Sequence, residues 1–291
     1  MIFEQPVTEL MRRRYSCRSY QDAPIAADVR QSLADFAASL SVGPLGTQLR
    51  FELIAATEED RRALKDLGTY GFIKGATGFL VGAMAEAEYN LEDYGYLMEC
   101  LVLRATDLGL GTCWLGGSFT KSRFAEAIGA GQGETVPAVV ATGYEAEQPR
   151  RLDDVIRRGA GAHRRLPWNQ LFFVGAFGRP LSQEAAGAWD VPLEMLRIGP
   201  SASNKQPWRV VRSGDLWHFY LQRTPGYRGG ILGKLMRVAD MQRLDMGIAL
   251  SHFELAVKER GLRGRWQVRD PGLPVPDEIT SYLVTWSAEA A

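Results

Sequence analysis

Three short segments of this 291-residue chain carry residue types that could hold a flat, anionic ligand. The first is Arg14-Tyr15-Ser16-Cys17-Arg18-Ser19-Tyr20. In extended backbone, residues two apart share a face. Arg14, Ser16 and Arg18 would then turn two cations and a hydroxyl toward one anion. The plainer alternative is a solvated basic helix end, which Arg12 and Arg13 also fit. The second segment is Gly109-Leu-Gly-Thr-Cys-Trp-Leu-Gly-Gly117, read as a glycine-rich turn. There Gly116 and Gly117 would let backbone N–H groups come close to a planar ligand; a packing turn is the alternative. The third is Gly199-Pro-Ser-Ala-Ser-Asn-Lys-Gln-Pro-Trp208. Ser201, Ser203, Asn204 and Gln206 could offer hydrogen bonds to a heteroaromatic edge, or could simply line a polar helix-to-strand loop.

Other chemistries lack their signatures. There is no H-E-x-x-H, no Walker A loop and no G-x-S-x-G. His163, His218 and His252 lie far apart without metal-ligand spacing, so no metal is expected, and His252 reads as a packed core residue. If the chain is an enzyme, a cofactor carries the reaction. Lys plus Arg equals Asp plus Glu at 34 each, which gives no global field for nucleic acid or an anionic membrane. No run of 18 apolar residues exists, and Leu97–Leu103 is interrupted by Glu99. The first residues show no secretory signal pattern. Cys17, Cys100 and Cys113 have no C-x-x-C spacing, so reduced thiols in a cytoplasmic protein are expected.

The elements that must position these segments come as a diverged repeat. LEDYGYLMECLVLRATDLGLGTCW (Leu91–Trp114) aligns with RLDMGIALSHFELAVKERGLRGRW (Arg243–Trp266) at a constant offset. Asp93 meets Asp245, Gly95 meets Gly247, Gly109 meets Gly261, and Trp114 meets Trp266. More weakly, Gly43–Ile54 echoes Gly199–Val211. A period this long is a domain duplication. Asp93–Leu108, apolar on nearly all sides, predicts a buried central helix stopped by Gly109. Pro6–Arg13 and Ala26–Leu40 predict further helices. Strands are predicted at Phe51–Ala55, Val136–Tyr144, Arg209–Arg212, Leu216–Leu221 and Thr280–Trp286. A basic stretch, Arg150–Pro167, crosses between the halves. The second half lacks the Gly-Gly pair and the first half lacks the Ser/Asn set. This complementary loss suggests one composite site.

These segments resemble the motifs of the nitroreductase (flavin reductase) family. Arg-Tyr-Ser-Cys-Arg is similar to its R-x-S-x-[RK], and Pro-Ser-Ala-Ser-Asn-Lys-Gln-Pro-Trp to its P-S-x-x-N-x-Q-P-W. The layout resembles the subgroup in which two half-domains are fused into a single-chain pseudo-dimer. The resemblance implies an α+β, nitroreductase-like fold with halves 1–163 and 164–291, each a mainly antiparallel sheet packed on helices. It implies one FMN per chain and NAD(P)H as co-substrate, with a nitroaromatic, quinone or similar small molecule as acceptor. By the same resemblance Arg14, Ser16 and Arg18, beside Tyr15, would contact the phosphate, ribityl and pyrimidine parts. Cys113, Trp114, Leu115, Gly116 and Gly117 would line the ring, and Pro200, Ser201, Ala202, Ser203, Asn204 and Gln206 would close it. Arg164 and Arg165 look like the family's phosphate-binding basic pair, with Arg150 and Arg151 as rivals. The substrate-covering helices look shortened, since only Glu58–Glu92 separates the first strand from the central helix. A flavin carrier or sensor without turnover, or a dehalogenase or dehydrogenase on this scaffold, is the alternative. A monomer is expected, with a weak homodimer as the other option. Arg223–Arg237 could border the site or form a surface loop.

Overall fold

A computed structural model of the chain describes residues 3–60, 64, 67–69, 71–117, 119–148, 150, 153, 159, 161, 164–227 and 239–289. The chain divides into two compact units, Met1–Ala160 and Gly161–Ala291. Arg151, His163 and most of Arg223–Arg237 lie outside the described residues.

The first unit holds helices α1 (Val7–Arg13), α2 (Ala27–Ser39), α3 (Asn90–Asp107) and α4 (Lys121–Ala127). Its strands are β1 (Leu49–Ala55), β2 (Gly78–Met84), β3 (Gly111–Leu115) and β4 (Val139–Gly143). They form one antiparallel sheet in the order β1-β2-β4-β3. β2 was not legible in the sequence. GFLVGAM holds two glycines and a single β-branched residue, so the run gives little strand signal. Its Gly82 lies where a Cβ would meet the Phe51 ring at 2.5 Å and Tyr94 at 2.8 Å. That close approach lets Tyr94 of α3 accept from Gly82 N and donate to Ala138 O at 2.6 Å, tying helix to sheet.

The second unit holds β5 (Phe172–Val174), α5 (Gln183–Ala186), α6 (Asp190–Ile198), β6 (Trp208–Ser213), β7 (Leu216–Gln222), α7 (Met241–Glu259), β8 (Gly264–Gln267) and β9 (Thr280–Ala288). The sheet order is β5-β6-β7-β9-β8, antiparallel except for the short β5 beside β6. Apart from β5, this repeats the connectivity of the first sheet. Phe219, Phe253, Trp266 and Trp286 interlock edge-to-face beneath α7, an arrangement that suits the aromatic quadrupole.

The duplication is visible in atomic detail. α3 ends with Leu110 N donating to Ala105 O and Gly109 N to Thr106 O. α7 ends with Leu262 N donating to Val257 O and Gly261 N to Lys258 O. Both are Schellman closures, which require a left-handed residue; Gly109 and Gly261 supply it at φ 79° and 70°. Asp93, at the start of α3, accepts Leu45 N and Thr47 N, both at 2.8 Å. Asp245, its repeat partner on α7, accepts Ala202 N at 2.8 Å. In each unit a buried helix aspartate therefore fastens the loop that leads into the sheet. A Cβ on Gly43 would come within 2.2 Å of the Asp93 side chain, which explains glycine there.

Among the described residues, no helix is long and apolar enough to cross a membrane.

Candidate functional site

In the first unit the N-terminal motif leaves α1 abruptly. Arg14 already has extended dihedrals, φ −58° and ψ 131°. Ser16 then bridges Thr112 of β3 in parallel, and Cys17 N donates to Thr112 O at 2.8 Å. The expected glycine-rich turn is thus corrected: residues 111–115 are an edge strand, with Cys113, Trp114 and Leu115 on it. Gly111 is glycine for packing, since a Cβ there would stand 2.9 Å from Cys17 Cβ and Sγ. Gly116 and Gly117 follow the strand, half-buried and exposed respectively. Leu115 packs its side chain into the core with Phe119 and Phe124, which leaves only its backbone to meet a ligand.

Two segments far apart in sequence are thereby joined. Burial raises the Cys113 thiol, and the Arg18 and Arg14 charges together with the Ser16 hydroxyl oppose that rise. Burial and Glu145 push Cys17 up to about 12. Both thiols stay protonated at neutral pH and are poor nucleophiles. Tyr15 donates its phenol to Glu145 at 2.7 Å.

The cations differ in what already holds them. The Arg14 side chain is only 7% exposed, yet its one partner among the described residues is Glu99, with Nε 3.8 Å from Oε1. Its Nε is buried without a hydrogen bond. Among the described residues, the Arg18 guanidinium makes one hydrogen bond, Nη1 to Ser16 O at 3.3 Å. Arg150, by contrast, is committed to the chain. It binds Ser19 Oγ, Gly71 O, Phe72 O and the Asp153 carboxylate. That clamp supports the backbone beside Arg18 and leaves no fork for a phosphate.

In the second unit the loop after α6 is strained. Ser203, Asn204 and Gln206 have φ of 50°, 53° and 50°. Non-glycine residues in that region typically cost about 1–3 kcal/mol each and concentrate at functional sites. The loop is held by its own polar groups. Asn204 Nδ2 donates to Gly161 O and Arg164 O, both at 2.7 Å, while its Oδ1 accepts from Arg165 Nη1 at 3.0 Å. Gln206 Oε1 accepts Leu166 N at 2.8 Å, and Ser201 Oγ accepts Gln206 N at 2.9 Å. The amides expected to face a ligand edge therefore already have partners within the unit, which a sequence pattern could not reveal. Ser203 is exposed and its hydroxyl has no hydrogen bond among the described residues. Pro200 is half-buried, and Ala202 presents its N–H to Asp245. Arg165 is tied to Ile198 O, whereas Arg164 is exposed at its side chain.

The remaining groups of interest lie elsewhere. His252 is buried, with Nδ1 2.9 Å from Met195 O, and His218 Nδ1 meets Thr285 Oγ1 at 2.8 Å. Among the described residues, no three His, Cys, Asp or Glu side chains gather as a metal site. A surface cavity of about 450 Å³, bordered by Val174, Leu181 and Arg212, contains none of the residues above.

Glu99 escaped the sequence reading, where it registered only as a break in an apolar run. It is fully buried on α3 and accepts Trp114 Nε1 at 2.8 Å while its other oxygen faces Arg14. The available signal was a carboxylate inside the apolar run Leu97–Leu103.

The profile of the family described as "Putative TM nitroreductase" matches residues 6–257. The chain belongs to that nitroreductase family. No curated protein matches it. Among solved structures it is similar to a putative nitroreductase from Thermotoga maritima, with 20% identity, TM-score 0.58, and coverage of 97% of this chain and 94% of that one. It also matches an FMN-bound nitroreductase from Bacteroides fragilis, with 22% identity, TM-score 0.39, and coverage of 50% of this chain and 91% of that one. A nitroreductase family protein from Clostridium difficile 630 matches with 19% identity, TM-score 0.40, and coverage of 55% and 92% respectively.

Proposed function

We propose that this chain binds one FMN and acts as an NAD(P)H-dependent oxidoreductase with a nitroaromatic, quinone or similar small-molecule acceptor. Family membership supports the reaction class. The observation that carries the cofactor is Arg14, whose side chain is almost wholly buried, whose Nε has no hydrogen bond among the described residues, and whose contact with Glu99 is loose. A buried cation in that state is costly unless acceptors satisfy its donors. A phosphate or a flavin edge offers such acceptors.

The donor set fits FMN. Arg14 would meet the phosphate, Ser16 the ribityl chain and Arg18 the pyrimidine end. The backbone from Trp114 to Gly117, leaving the edge strand, would run along the ring. By the family resemblance, Pro200, Ser201, Ala202 and Ser203 of the strained loop, with Asn204 and Gln206 shaping it, and Arg164 beside Arg165, would supply the remaining contacts in a cytoplasmic protein. Bound FMN would supply hydride and electron transfer. The chain's own contribution is orientation and charge: cationic Arg18 favours the anionic, reduced ligand. No side chain described here needs to act as an acid or base.

The test is anaerobic mixing of the flavin-loaded protein with NADH and with NADPH, followed by stopped-flow absorbance. Rapid bleaching of the flavin band is expected with at least one of them. A band that neither nucleotide bleaches leaves a flavin-binding protein without NAD(P)H turnover.

A further inference from the structure

The buried carboxylate Glu99 touches two residues of the proposed FMN set at once. Oε2 accepts the Trp114 indole N–H at 2.8 Å, and Oε1 lies 3.8 Å from Arg14 Nε. Its side chain has no exposed surface. An ionised carboxylate in such a place needs partners to offset its desolvation, and here the partners come from β3 and the N-terminal motif.

The second unit shows which part of this arrangement is generic. Trp266 also donates its indole N–H to a helix carboxylate, Glu254 Oε2, at 2.6 Å. That glutamate sits 12 residues before its tryptophan, where Glu99 sits 15 before Trp114. Its other oxygen pairs with Lys258 on its own helix, at 2.7 Å. The position aligned with Glu99 is Ser251, which bonds back to Ile248 O. An acceptor beneath the tryptophan thus recurs in both units. A carboxylate that also faces an arginine of the ligand motif is specific to the first. Packing alone explains the shared feature and leaves the Arg14 contact unexplained.

We infer that Glu99 is a positioning residue that fixes Trp114 and tempers the charge Arg14 offers to the cofactor phosphate. The inference rests on the FMN reading above. With Glu99 in place, Arg14 is partly neutralised and held by a contact too long to be a hydrogen bond. It remains oriented, and its donors stay available. Glu99→Gln keeps an acceptor oxygen for Trp114 and removes the negative charge. Trp114→Phe removes the N–H that restrains Oε2 and lets the carboxylate close on Arg14.

The experiment compares FMN with riboflavin, which lacks the phosphate. Flavin-free wild type, Glu99→Gln and Trp114→Phe are each titrated with both ligands, following flavin fluorescence. Removing one charge a few ångströms from an anion in a partly buried site should tighten FMN binding by about tenfold and leave riboflavin nearly unchanged. Trp114→Phe should move the FMN-to-riboflavin affinity ratio the other way, by about threefold. A purely structural role would shift both ligands together. A ratio unchanged in both variants, with wild type binding FMN, overturns the role of Glu99 and leaves the FMN reading standing. Wild type that binds neither flavin overturns both.

Discussion

The aspartates at matching positions at the starts of α3 and α7 should respond unequally to the same substitution. Asp93 is buried and commits both oxygens, one to Leu45 N and one to Thr47 N. Asp245 is also buried, but among the described residues only Oδ1 is hydrogen-bonded, to Ala202 N, while Oδ2 is not. Burial raises both carboxyls. The Thr47 and Leu45 N–H groups resist that rise at Asp93, whereas at Asp245 a single N–H resists it, and its carboxyl is held well above the ordinary carboxylate range. Asp93→Asn turns one acceptor into a donor facing another donor. A lost bond to a charged group, or a buried N–H left unpaired, costs about 1–3 kcal/mol. For units of this size that lowers Tm by roughly 3–10 °C. Asp245→Asn imitates the protonated acid, with a carbonyl oxygen for Ala202 and a donor in place of the hydroxyl, and should stay within about 1 kcal/mol. The pH signs follow from linkage. A carboxyl whose folded pKa is raised contributes its stability below its unfolded pKa, near 3.8, and loses it as pH rises toward the folded value. Asp245→Asn should flatten that decline. Thermal unfolding by circular dichroism across pH 4–8 reads both effects. Equal Tm losses for the two variants would refute the assignment of Asp245 as a singly bonded anchor with a raised pKa.

Arg14→Met should weaken FMN binding by roughly 10–100-fold, the worth of hydrogen bonds to a charged group; isothermal titration measures it, and unchanged affinity would remove Arg14 from the cofactor set. Asn204→Ala should cost about 1–3 kcal/mol, because Gly161 O, Arg164 O and Arg165 lose their partner. The exposed Ser203→Ala should change stability by less than about 0.5 kcal/mol while weakening FMN, so urea melts and titrations together separate a brace from a ligand contact. Glu134 is lowered to about 2, first by its hydrogen bonds from Arg50 and then by Gly131 N. Its small stabilisation is present above its ordinary value, near 4.5, and is lost as pH falls toward 2. In Arg50→Gln the Glu134 carboxyl should titrate nearer 4.5, as followed by carbon-13 NMR, and a value still near 2 would assign the effect to Gly131 instead.

Much of this architecture is written in local pattern. The central helices announce themselves by apolar residues on every side and by Gly109 and Gly261 at matching offsets, and both glycines close Schellman motifs. β1, β4, β6, β7 and β9 follow from β-branched, aromatic runs between turn residues. β2 and β3 were hidden for opposite reasons. The first carries two glycines and only one β-branched residue, and the second is so rich in small residues that it reads as a turn. The site divides similarly. Alternation in extended backbone foretells that Arg14, Ser16 and Arg18 can share one face. Sequence could not show that Arg150, Asn204 and Gln206 are already committed to backbone partners, because a hydrogen-bonding side chain reads the same whether it faces a ligand or its own chain. Glu99 was invisible for a related reason: its meaning depends on Trp114 and Arg14 converging on it from β3 and the N-terminus.

The central claim is that one FMN belongs to each chain. The direct test is the visible absorption spectrum of the purified protein, before and after incubation with FMN and removal of the excess, with flavin counted per chain. The account predicts an oxidised-flavin band at about one FMN per chain. Two per chain would contradict the reading that the second half has lost its Gly-Gly pair and the first its Ser/Asn set, and no band even after loading with FMN would contradict the cofactor assignment itself.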